Sequence, residues 1–246
     1  LVFDPAGPYL YAGSNDAPTG TTEGFSVAAG ILTPLNSQVT GNVAYSVAID
    51  PANKFVWAPN VFDGRIAEFT LTAGVLSVPN YNGTLANPYA VAVHPTGLFV
   101  YVTDNTANVV QEFTYSASTG LLTATGAGLS TGAASKPTGI AIDPSGAFLY
   151  VSDSGTGKVS AFTINGATGA LTAIAGSPFT ASGTASPGTA TALAVDPSSQ
   201  FLYVANGDAG TISVLKITAA TGVLTAINLA VPCIISGGGP QAIVVQ

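Results

Sequence analysis

His94 is the only imidazole in the chain, so a general base of ordinary pKa would have to be this residue. It stands where four other positions carry aspartate. The pair Asp-Pro occurs at Asp4-Pro5, Asp50-Pro51, Asp143-Pro144 and Asp196-Pro197, and His94-Pro95 fills the remaining place. Four evenly spaced carboxylates suggest a metal ring. The competing reading is a turn: Asp before Pro at the end of an apolar run accepts nearby backbone N–H groups, and recurrence once per repeat is what a turn role predicts. A second polar set, Asn15/Asp16, Asn60, Asp104, Asp153 and Asn206, takes the same turn reading, and no metal site is expected. His94 is then a base or a substituted turn residue. Arg65, with Asp63 and Glu68 nearby, reads as a solvated ion pair or a substrate clamp, and Lys136 reads as solvated.

Composition narrows the classes. The 246 residues hold 5 Lys+Arg against 12 Asp+Glu, a net charge of −7, and only 7% are charged. So few cations cannot neutralise many phosphates, which excludes nucleic acid as a partner. A Cys/His metal site has only Cys233 and His94 to draw on, so structural zinc is excluded, and one Cys cannot form an internal disulfide. No cofactor is implied. The apolar run Ala226–Ile235 is broken by Pro232 and is far short of the ~20 residues of a spanning helix. There is no Met, even at position 1, and no signal-peptide pattern, so the chain reads as a mature secreted form or a fragment. The charge-poor, Thr/Ser/Gly/Asn-rich composition predicts an extracellular or cell-surface protein, with the periplasm as a further option.

Elements that must position these residues are set by internal repeats. A second marker follows each Asp-Pro or His-Pro: AGILT at Ala29–Thr33, AGVLS at Ala73–Ser77, TGLLT at Thr119–Thr123, TGALT at Thr168–Thr172 and TGVLT at Thr221–Thr225. Each unit reads as four short strands. In the fourth, these are Thr138–Asp143, Ala147–Ser152, Lys158–Ile164 and Ala170–Ala175, separated by Gly-, Pro- and Asn-containing turns. No stretch has a helical period. Four antiparallel strands per repeat of this length predict an all-β chain of propeller blades. The blades fall at 1–43, 44–87, 88–136, 137–189 and 190–239, with 240–246 as an extra inner strand or latch. Second strands apolar on both faces, such as Phe148–Val151, predict blade-to-blade burial of their aromatics.

Segments Phe148–Asp153 (FLYVSD), Phe201–Asn206 (FLYVAN) and Tyr101–Asp104 (YVTD), each followed by TG-x-LT, resemble the YVTN-repeat and lactonase-like β-propeller superfamily over essentially the whole chain. That resemblance implies seven blades in a longer chain, and lactone hydrolysis of the 6-phosphogluconolactonase kind as one activity. Five repeats favour a closed five-bladed ring, the alternative being an arc of a six- or seven-bladed propeller. In such a ring Tyr45 and Tyr89, at matching inner-strand starts, lie near the channel mouth, where they stack on a sugar or plug the channel. Asn82-Gly83-Thr84 is a lone glycosylation sequon.

Sparse chemistry leads to one expectation with two alternatives. The expectation is an exported, non-enzymatic surface or interaction module, with protein (a second copy included) or carbohydrate as partner. It would assemble into an oligomer or filament through Pro240–Gln246 or the N-terminal strand. The alternatives are a lactonase-like hydrolase or cyclase at the channel mouth, with His94 or an inner-strand Asp as base, and a carbohydrate-binding propeller using Tyr45 and Tyr89.

Overall fold

A computed structural model describes residues 1–5, 7–14, 19–181, 190–227 and 243. Asn15/Asp16, Cys233 and all of Pro240–Gln246 but Ile243 lie outside the described residues, and with them the proposed latch strand. The described elements are all strands, and they form five antiparallel sheets whose strands follow one another in chain order. The fourth sheet runs Pro137–Ile142, Phe148–Asp153, Lys158–Ile164 and Leu171–Ala173, within a residue or two of the strands read from its repeat.

Three sheets carry a fifth piece that the repeat pattern did not predict. Asn80–Asn82, Leu129–Ser130 and Phe179–Thr180 each return to pair with the third strand of their own sheet. In the second sheet the third strand, Arg65–Thr72, pairs with Val75–Leu76 at one end and with Asn80–Asn82 at the other. The outer edge is thus completed in two short pieces. Pro79 and Pro178 stand in two of the breaks, where a missing N–H and a fixed φ prevent one continuous strand. Short edge pieces leave little unpaired backbone to recruit another chain.

The chain divides into two compact units, Leu1–Asp104 with Gln111–Ala127, and Asn105–Val110 with Gly128–Gln246. In the first, one core joins Tyr11, Val56, Phe69 and Leu76, and another joins Phe55, Trp57, Ile66, Val100 and Phe113. In the second, the core joins Phe148, Tyr150, Val159, Leu202, Leu215 and Ile217. The second-strand aromatics are buried between sheets, as their two-sided apolar pattern predicts. They also do something the pattern did not reveal. Tyr11 Oη donates to the Gly74 carbonyl (3.1 Å), Trp57 Nε1 to the Gly120 carbonyl (3.0 Å) and Tyr150 Oη to the Gly222 carbonyl (3.1 Å). The acceptor is the glycine of the AG or TG marker one repeat later, at positive φ in every case. Each ring has its polar tip satisfied across the sheet interface, and each bond contributes about 1 kcal/mol.

Candidate functional site

Every sheet has two ends. At one, the inner strand turns into the second through the Asp-Pro motif. Asp50 Oδ1 accepts the N–H groups of Lys54 (2.6 Å) and Phe55 (2.7 Å), and its Oδ2 accepts that of Ala52 (3.2 Å). Asp143 and Asp196 accept the N–H groups of Phe148 (2.7 Å) and Phe201 (2.6 Å) in the same way. Desolvation pushes the Asp196 carboxyl up, but its bonds from Ser198, Phe201 and Gln200 together outweigh that push and hold it below its ordinary value. These carboxylates complete turns, and among the described residues no three Asp, Glu, His or Cys gather as metal ligands.

His94 occupies the same turn. Its Nδ1 accepts the Thr96 N–H (3.2 Å) and lies 2.7 Å from Thr96 Oγ1, and its ring packs edge-on against Phe99. The side chain is buried, and an accepting Nδ1 puts the proton of the neutral ring on Nε2. Tyr89 is the second residue of the inner strand Pro88–Val93 and His94 follows it, so about 16 Å separates them along the strand. A site using the tyrosines therefore does not have His94 as its base.

The opposite end, where inner strands start, is differently furnished in the first unit. Tyr45 and Tyr89 stack with centroids 4.7 Å apart and planes inclined by 23°. Tyr45 is 46% exposed, and Tyr89 lies behind it. Burial, with Tyr45 adding to it, pushes the Tyr89 phenol above its usual value. The Val61 N–H donates to the Val43 carbonyl (3.0 Å), so the turn 60–65 runs beside the segment that carries Tyr45. Asp63 and Arg65 in that turn form an ion pair at 3.6 Å, with side chains 24% and 48% exposed, and the Arg65 guanidinium lies 4.6 Å from the Tyr81 ring centroid. Gly41, at φ +118°, makes room for this arrangement, because a Cβ there would collide with Asp63 Oδ2. That Cβ would also stand 3.3 Å from the amide of Asn60, which is fully buried with neither amide atom partnered among the described residues. Asp104, at the same end, accepts the N–H groups of Ala86 (2.6 Å) and Asn87 (3.2 Å).

Two buried carboxyls lie outside this cluster. Glu68 Oε1 accepts the Leu122 N–H (2.7 Å), and desolvation, only partly offset by that bond, pushes the carboxyl up to about 7. In the second unit Asp153 accepts from Ser160 Oγ (2.7 Å), and desolvation raises it to about 7 despite that bond and Lys158 nearby. Glu68 Oε2 and Asp153 Oδ1 have no partner among the described residues. Asn82, read as a glycosylation acceptor, donates its amide to the Leu122 carbonyl (2.7 Å) and accepts the Gly83 N–H (2.6 Å). Lys136 is exposed, as expected.

Residues 69–185 match the sequence model of a family described as lactonase, 7-bladed beta-propeller. No curated protein matches the chain. Among solved structures, a putative 6-phosphogluconolactonase from Bacteroides uniformis superposes with a TM-score of 0.82 at 23% identity, covering 98% of this chain and 72% of that one. The periplasmic gluconolactonase of Pseudomonas aeruginosa gives 0.82 at 19% identity, covering 92% and 70%. A putative 6-phosphogluconolactonase from Bacteroides fragilis gives 0.63 at 17%, covering 98% and 85%. The fold is that of the lactonase-like β-propellers, and the resemblance read from the repeats holds. Five blade-type sheets are described here, against seven in the family's description. The expectation of a non-enzymatic surface module is overturned by the match to a lactonase family, which backs the hydrolase alternative instead.

Proposed function

We propose that this protein hydrolyses a lactone at the strand-start end of its first unit. Carrying this reading is the accessible Asp63–Arg65 pair, in a turn that runs beside the segment leading to the stacked Tyr45, in a chain that matches a lactonase family over residues 69–185. Lactone hydrolysis needs a base for water, a positive group for the oxygen that becomes anionic, and a surface that holds the ring. Asp63 takes a proton from water as the water oxygen bonds to the lactone carbonyl carbon. Arg65 faces the resulting oxyanion. The ring C–O bond then breaks, and its oxygen leaves as a hydroxyl by recovering the proton from Asp63, giving a hydroxy acid. Tyr45, backed by Tyr89, holds one face of the ring. The charge-poor composition supports a site of action outside the cytoplasm, which fractionation of the native host tests.

Acid release from glucono-δ-lactone, followed by pH-stat above the spontaneous rate, tests the reading. Asp63→Asn is expected to lower kcat by on the order of a hundredfold or more with little change in KM. An unchanged kcat would remove Asp63 from the role.

A further inference from the structure

We propose that this site takes an uncharged, polyhydroxylated lactone and rejects the phosphorylated form of the same ring; the inference rests on the lactonase reading above. Phosphate recognition needs cations able to make charge-assisted hydrogen bonds. Among the described residues of the first unit the only lysine and arginine side chains are Lys54 and Arg65, and His94 is buried in the turn at the other end of its strand. Lys54 belongs to the wrong end. Its N–H is bonded to Asp50 in the Asp-Pro turn, and the strand Phe55–Asn60 runs its full length between it and the site. Arg65 is already paired with Asp63 and lies against Tyr81. Asp104 adds a second carboxylate at that end, beside Pro88 and Tyr89. One guanidinium against two carboxylates leaves the site net negative, so a phosphate dianion is repelled where a neutral ring is not.

What the site does offer suits a sugar. Tyr45 presents an apolar ring face to the C–H side of a pyranose-like lactone.

Competing hydrolysis of glucono-δ-lactone and its 6-phosphate tests the inference on the wild-type chain and on Phe62→Arg. Phe62 is 64% exposed in the same turn and belongs to none of the roles assigned above. Wild type is expected to favour the neutral lactone by about tenfold or more in kcat/KM, and Phe62→Arg to narrow that gap by raising turnover of the phosphate alone. Equal or better use of the phosphate by wild type would overturn the inference while leaving the lactonase reading intact. So would a preference that Phe62→Arg does not narrow, because charge would not then be its cause. Turnover of neither lactone would overturn the lactonase reading, and the inference with it.

Discussion

The two units use one repeat in two ways. Four inner strands carry a side chain five positions before their turn residue: Tyr45 and Tyr89 in the first unit, Thr138 and Thr191 in the second. Both threonines bond to backbone, Thr138 Oγ1 to the Ala190 carbonyl (3.0 Å) and Thr191 Oγ1 to the Ala205 carbonyl (3.2 Å). The tyrosines instead stack on each other and present a ring face. Among the described residues, every exposed large hydrophobic side chain lies in the first unit, Tyr45, Phe62 and Tyr81 among them. Asp153, in the second, is fully buried, whereas Asp63 is accessible. The lesson is that repeat identity predicts the scaffold, and departure from it is where the proposed chemistry lies.

Making the first unit resemble the second should have the largest effect. The double change Tyr45→Thr with Tyr89→Thr is expected to cut kcat/KM on glucono-δ-lactone by about a hundredfold or more. Because one ring is half exposed, Tm should move only a few degrees. Retained turnover would break the contrast between the units.

A smaller effect sharpens what the units share, a buried carboxyl with a raised pKa in each. Glu68 and Asp153 both titrate near 7 when folded, above their ordinary values of 4.5 and 3.8. Folding therefore favours their protonated forms, and their contribution is fully present below about pH 4 and is lost as pH rises through about 7. Urea unfolding of Glu68→Gln and Asp153→Asn should each flatten the decline in stability between pH 4 and 8, leaving the variants more stable than wild type at pH 8. A wild-type profile that rises over this range would contradict the burial of both groups.

The smallest effect is expected at His94. His94→Asp restores the residue found at this turn in the other four repeats, and it should leave kcat, KM and their pH profile within about twofold of wild type, because the site is at the far end of the strand. A lost basic limb in the pH profile would return His94 to the chemistry.

Much of the scaffold was legible in advance. The Asp-Pro and TG-x-LT markers carry turn chemistry that backbone geometry demands, so inner-strand ends and outer-strand starts could be placed to within a residue or two. The returning pieces such as Asn80–Asn82 were not legible, because three polar residues have no hydrophobic alternation and their pairing with Ile66–Glu68 is set by tertiary contact. The hydrogen bonds from Tyr11, Trp57 and Tyr150 to distant glycine carbonyls were hidden for the same reason. The proposed site was not legible by counting. Few charged residues argued against an active site, yet lactone hydrolysis asks for one carboxylate and one cation, and Asp63 and Arg65 are only two residues apart. What spacing alone did not reveal is that Gly41 clears room for the Asp63 carboxylate, or that the turn carrying the pair runs beside the segment leading to Tyr45.

A crystal structure of the chain with gluconate, the hydrolysis product, bound would test the central claim most directly. The account predicts the sugar chain against the exposed face of Tyr45 with its carboxylate toward Arg65. Ligand found instead at the His94 turn, or held by the second unit with Tyr45 and Arg65 untouched, would contradict it.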